Sequence, residues 1–184
     1  CMVKRFSALE SIDEKSIIPS LIFKDLKFID NKNLILFQIS TWPNAIDSLE
    51  KNLIKILKIN EIAKNNTMKK NIDHTIIKIE PLKWWILDKK IESIDPILGN
   101  ILDISHSRTH LSVYGKNSSI LLNKHLPIDL RDKSFPVNSV ASTSFHHVSI
   151  TLCKVNDGFE IFIPRAFSSS LFEILLESSK QFTL

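Results

Sequence analysis

The densest run of reactive side chains is "DISHSRTHLSVYG" at 103–115, which sets Asp103, His106, Arg108, His110 and several hydroxyls within one short segment. Three chemistries are open to such a set. His106 and His110 have the i, i+4 separation of a helical metal pair. The run does not read as a helix, however, a permanently cationic Arg108 between them opposes a dication, and no Cys or Glu is spaced to complete a shell. Ser, His and Asp are plentiful enough for nucleophilic catalysis, but there is no G-x-S-x-G elbow and nothing signals a strained nucleophile turn. Read as a strand, the run places Ile104, His106, Arg108, His110 and Ser112 on one face. Ser105, Ser107, Thr109, Leu111 and Val113 take the other, and the whole is a polar strand that pairs with backbone or partner groups. His146-His147 points its rings to opposite faces of a strand and is assigned no role. Catalytic, cofactor-binding and metal-binding residues are accordingly expected to be none.

Other residue types narrow the function classes. Cys1 precedes Met2, which leaves Cys153 as the only internal cysteine, so neither a disulfide nor a thiolate cluster is expected. A cytoplasmic home follows as the default. The three glycines, at 99, 115 and 158, lie far apart. A dinucleotide fingerprint or phosphate loop needs clustered glycines so that backbone N–H groups can approach phosphate, and none can be built here. Net charge is only +4, yet 51–90 holds ten lysines against four acids. Such a patch attracts nucleic acid or an acidic partner. Arginine, the usual fork for nucleic acid, occurs only at 5, 108, 131 and 165, so no nucleic acid is expected as partner. No apolar run approaches the roughly 20 residues that span a bilayer, and "CMVKRFSALESIDEK" lacks a secretory core, so no membrane partner is expected either.

These residues must be positioned by the elements around them. "LIFKDLKFI" at 21–29 and "LILFQIS" at 34–40 read as an antiparallel hairpin. Pro43 suits a first helical turn, after which Ile46, Leu49, Leu53, Ile56 and Leu57 recur at helical spacing. Residues 59–72 read as a mobile basic loop. Strands follow at 75–79 and 83–87, the second carrying Trp84-Trp85 with one ring inward and one outward. Gly115 begins a short helix ending near Pro127, and "PIDLRDKSFP" is a connector whose prolines forbid a ladder. "VSITLCKV" and "FEIFIP" alternate as a hairpin, with Gly158 supplying the positive φ of a three-residue loop. The last helix carries Leu171, Phe172, Leu175 and Leu176, with Ser170 and Glu173 fitting a capping box. The order β-β-α-β-β, then β-α-connector-β-β-β-α, predicts an α+β fold of antiparallel sheets with helices packed on one face and two related halves. The expected organisation is an N-terminal extension over 1–20 and a single domain over 21–184.

Residues 34–178 resemble the gamma subunit of heterotetrameric sarcosine oxidase. Asp103, Ser105, His106, Arg108 and Thr109 fill that family's first motif. Pro127, Asp129, Leu130, Phe135 and Pro136 fill the connector, and Arg165 precedes the last helix. Upstream, "LFQISTWPNAIDSLEKNL" and "IEPLKWWIL" are similar to a hairpin-to-helix segment and a strand, with Glu80 where relatives often carry glycine. "VAST" at 140–143 departs from the cysteine and glutamine that relatives tend to carry.

The resemblance implies a fold like the folate-binding fold of aminomethyltransferases, and a four-chain flavin-dependent complex. That complex demethylates sarcosine oxidatively to glycine, forms hydrogen peroxide and passes the one-carbon unit to tetrahydrofolate. It also implies that FAD, FMN, NAD, tetrahydrofolate and zinc belong to the alpha, beta and delta subunits. This chain then carries no cofactor, packs most directly against alpha, and acts as a non-catalytic structural part of an oxidoreductase. Trp42, Trp84, Trp85, His106, Arg108 and Arg165 are the interface candidates. Two other readings stay open: a stand-alone folate-binding or aminomethyltransferase-like protein, and a basic adaptor using the lysines of 51–90.

Overall fold

The computed structural model describes residues 7–9, 20–23 and 25–182. Of the expected N-terminal extension, residues 1–6 and 10–19 lie outside the described residues. The chain divides into two compact units: one from residues 1–33, 106–137 and 141–184, the other from 34–105 and 138–140.

The first unit is built on a six-stranded sheet. Its strands are β1 (Ser20–Phe23), β2 (Leu26–Asp30), β8 (Arg108–Tyr114), β9 (Val140–Phe145), β10 (Val148–Val155) and β11 (Gly158–Pro164), in the order β1-β2-β8-β11-β10-β9. The pairs β2–β8, β8–β11 and β10–β11 are antiparallel. One face of the sheet carries Phe28, Leu111, Val113, Phe159 and Ile161. These form a single core with Leu121 and Leu122 of α2 (Ser118–Asn123) and with Leu171, Phe172 and Leu175 of α3 (Ser168–Ser179).

The second unit has a five-stranded sheet made of β3 (Leu36–Thr41), β4 (Thr67–Lys70), β5 (Thr75–Glu80), β6 (Lys83–Leu87) and β7 (Gly99–Asp103), ordered β4-β5-β6-β3-β7. Its helix α1 (Ile46–Leu57) has the predicted stripe. Leu49, Leu53 and Leu57 are at most 2% exposed and pack with Phe37, Ile39, Ile76, Trp84 and Ile86. Each such leucine contributes about 1.5–3 kcal/mol of burial. Each unit thus has an antiparallel sheet with its helices on one face, the α+β arrangement expected.

Four local expectations are corrected. The apolar runs at 21–29 and 34–40 do not pair with each other. Asp25 takes a positive φ of 56°, which folds the first run back on itself as the β1–β2 hairpin, and β3 joins the other sheet. The basic loop at 59–72 contains β4, because pairing with β5 stabilises a "TMKK" stretch that has no alternation of its own. The polar run at 103–113 is not one strand. The Asp103 Oδ1 accepts the Ser105 N–H at 2.9 Å, and residues 105–107 form a turn between β7 and β8. Finally, the β10–β11 loop has two residues, Asn156 and Asp157, because Gly158 already pairs with Val155. The glycine is required there for close approach, since a Cβ on it would sit 2.2 Å from the Val113 carbonyl oxygen.

Candidate functional site

Many of the polar groups that marked out 103–115 are engaged within the fold, some with backbone and some with other side chains. Ser105 is buried, and its Oγ accepts the Leu36 N–H at 2.8 Å while donating to the Leu36 carbonyl at 3.3 Å. Thr109 is buried and receives a hydrogen bond from the Ser168 hydroxyl, 2.7 Å away at the start of α3. In the connector, Asp129 is gripped by the Arg131 guanidinium, with Nε–Oδ1 at 2.9 Å and Nη2–Oδ2 at 2.6 Å, and by the Ser134 hydroxyl at 2.7 Å. Those hydrogen bonds hold its carboxyl well below the usual carboxylate range. The clamp fixes a chain without regular structure while Leu130 and Phe135 enter the core on either side.

The six interface candidates separate into groups. Arg108, at the first position of β8, is opposite Pro164, and the Arg165 N–H donates to the Ser107 carbonyl at 3.0 Å. His106, Arg108 and Arg165 therefore gather at one end of the β8–β11 pair. His106 is exposed there and both arginines are half-buried, with burial pushing the Arg108 guanidinium down from its ordinary pKa. Trp42 lies in the other unit, 51% exposed, its indole N–H donating to the Pro96 carbonyl at 3.2 Å. The expectation that one ring of the Trp84-Trp85 pair faces outward is corrected. Trp84 is 0% and Trp85 3% exposed, because the sheet buries side chains on both faces at this strand. Trp85 donates to Gln38 Oε1 at 3.2 Å, whereas the Trp84 N–H has no hydrogen-bond partner.

A cluster missed at the level of sequence lies on the face of the six-stranded sheet opposite its helices. Glu160, on β11, accepts hydrogen bonds from His110 Nε2 at 2.6 Å, Ser112 Oγ at 2.6 Å and the Tyr114 hydroxyl, all from β8. Asn31 Nδ2 in turn donates to Ser112 at 2.6 Å, and the His110 ring stacks on Phe162 with centroids 4.5 Å apart. Burial alone raises a carboxyl pKa, but the donors from His110, Ser112 and Tyr114 outweigh it and hold Glu160 below the ordinary value. The Tyr114 phenol is pushed up to about 12 by burial and by its bond to Glu160. The sequence signal was parity: His110, Ser112 and Tyr114 share one face of their strand, and Glu160 interrupts an apolar one.

The cluster is closed on itself. Each carboxylate oxygen is engaged, and the Ser112 hydroxyl both donates and accepts, so the arrangement orders the sheet. Cys153 is fully buried, and burial pushes its thiol far up, away from the reactive thiolate. Among the described residues no group of three or more His, Cys, Asp or Glu is placed to hold a metal ion, and no helix is long and apolar enough to cross a membrane.

No family model matches the chain. It is 28% identical over 86 residues to a sarcosine oxidase subunit gamma from Corynebacterium sp. strain U-96, covering 46% of this chain and 42% of that protein. A sarcosine oxidase subunit gamma from an Arthrobacter species is 28% identical over 69 residues, covering 38% and 34%. The matched stretch thus spans less than half the length of these curated relatives. By structure, the chain is similar to heterotetrameric sarcosine oxidase from Corynebacterium sp. U-96, solved in complex with pyrrole 2-carboxylate. The TM-score is 0.80 at 15% identity, over 98% of this chain and 97% of that one. It is also similar to glycine cleavage system aminomethyltransferase T from Bartonella henselae, with a TM-score of 0.57 at 12% identity, over 85% of this chain and 49% of that one. The chain is thus similar in sequence, over part of its length, to sarcosine oxidase gamma subunits, and similar in fold, over nearly all of it, to a chain of heterotetrameric sarcosine oxidase.

Proposed function

We propose that the chain is a non-catalytic, structural subunit of a cytoplasmic, heterotetrameric, flavin-dependent sarcosine oxidase. In this reading the complex demethylates sarcosine oxidatively to glycine, forms hydrogen peroxide and delivers the one-carbon unit to tetrahydrofolate. FAD, FMN, NAD, tetrahydrofolate and zinc are held on the alpha, beta and delta subunits, with alpha the most direct neighbour. The observation that carries the reading is end-to-end similarity in fold to a chain of the heterotetrameric enzyme, joined to sequence similarity to curated gamma subunits. Two features support it. The glycines are too scattered to cradle a dinucleotide, and the polar residues of 103–115 and 127–136 are largely committed to the fold. His106, Arg108 and Arg165 at one end of the β8–β11 pair, and Trp42 in the other unit, are the contacts proposed for neighbouring chains.

A tagged copy expressed in its native cell tests this directly. Three other chains and a flavin absorbance spectrum are expected to co-purify with it. A chain that purifies alone as a stable monomer, or that turns over sarcosine unaided, ends the reading. A second reading, a stand-alone folate-binding protein, draws on the fold similarity to the aminomethyltransferase. Calorimetry of the isolated chain with tetrahydrofolate separates the two, since the subunit reading expects no heat of binding.

A further inference from the structure

The five-stranded unit carries a groove that the assembly reading leaves unused. It lies between the end of α1 and the turn that joins β4 to β5, and its volume is about 840 Å³. Its lining includes Leu57, which is nearly inaccessible, and His74, which is 3% exposed. The His74 ring is held from both sides, with Nδ1 2.6 Å from Asp73 Oδ1 and Nε2 3.3 Å from Asn71 Nδ2. These contacts fix this part of the lining. The rest differs in character. Lys58 and Lys70 are exposed and have no acidic partner among the described residues, while Lys89 reaches Asp73 at 3.3 Å. Ile72, in the turn itself, is fully exposed.

Two unpaired ammonium groups flanking a fully exposed isoleucine combine charge with an apolar contact point. We propose that this groove is a docking site for an acidic segment of another polypeptide, its carboxylates over Lys58 and Lys70 and an apolar side chain against Ile72. Charge complementarity favours this occupant: the surrounding 51–90 stretch has ten lysines against four acids. A nucleic acid is the poorer match. The lining has no arginine to fork a phosphate, and its one aromatic ring, His74, is buried and cannot stack a base. Ile72 adds contact area that a polypeptide side chain can use and a sugar–phosphate chain cannot.

The test uses the full chain and a fluorescein-labelled synthetic peptide, rich in glutamate with a central leucine, followed by fluorescence anisotropy. The peptide is expected to bind, to be released by added salt, and to bind at least about fivefold more weakly to the Lys58→Glu/Lys70→Glu variant. Lys116→Glu/Lys133→Glu makes the same change in net charge at exposed positions of the other unit and is expected to leave affinity within about twofold. Ile72→Ser is expected to weaken binding by about threefold. Unchanged circular dichroism melts show that the variants are folded. Absence of binding, equal losses in the two charge-reversal variants, full affinity in Ile72→Ser, or tighter binding of a labelled single-stranded oligonucleotide overturns the proposal. None of these outcomes depends on co-purification with other subunits, so failure here leaves the assembly reading standing, and the reverse also holds.

Discussion

The six-stranded sheet buries Asp30 and Lys154 and half-buries the Glu160 carboxylate, on which three donors of β8 converge. Its counterpart here is Lys78 of the five-stranded sheet, whose ammonium meets one carboxylate, Glu50 of α1 at 2.7 Å, and the face of Trp84 with its centre 4.6 Å away. The difference follows from the side chains. A carboxylate on a short stem only accepts hydrogen bonds, and it must find its donors where the strand places it. A lysine carries its charge on a long apolar stem, which can be buried while the ammonium seeks a partly wet position. Glu50 is 25% exposed at the side chain, so water reaches that pair, whereas the Glu160 and His110 side chains are only 15% and 12% exposed. The first arrangement is a network that fails together. The second is a stitch between helix and sheet whose loss water can repair.

Three substitutions sharpen or break this contrast. Glu160→Ala leaves the donors of His110, Ser112 and Tyr114 without an acceptor and is expected to cost about 3 kcal/mol in urea denaturation, with an unchanged slope. Tyr114→Phe removes one donor only and is expected to cost about 1 kcal/mol near neutral pH. It also changes the pH profile. The folded phenol titrates near 12 against an ordinary 10.0, so the unfolded chain loses this proton first, and stability falls as pH rises between those values. The phenylalanine variant is expected to flatten that alkaline decline. Its acid side should remain: Glu160 is held below the ordinary carboxyl range, so its contribution is present above that range and is lost as pH falls through the folded value. Lys78→Met keeps the stem against Trp84 and frees Glu50 to hydrate, with an expected cost below about 1 kcal/mol. Equal losses for Glu160→Ala and Lys78→Met would show that the two sites hold their charge in the same way after all.

What was legible in the sequence is what depends on near neighbours. Helix α1 announced itself through Leu49, Leu53 and Leu57, and the β10–β11 hairpin through alternating Ile150 and Leu152 answered by Phe159 and Ile161. What was hidden depends on register between distant strands. Glu160 and His110 are fifty residues apart, and that they share a face is settled only once β8 lies beside β11. The β4 strand had no pattern to read because its support comes from β5 and from the Met68 N–H donating to the Asn138 carbonyl at 2.8 Å. The turn at 105–107 was hidden by a single side chain, since strand periodicity takes no account of an aspartate that bonds its own backbone two residues on.

The interleaving of the two units along the chain bears on how the protein is made. Synthesis runs from the N-terminus, so all five strands of the smaller sheet have been synthesised by Asp103, while β2 must wait for β8 and β8 for β11, whose last residue is Pro164. The inserted unit can therefore condense around α1 while the outer one is still half-written. The nascent β1–β2 hairpin must then stay soluble with an open edge until its partners arrive.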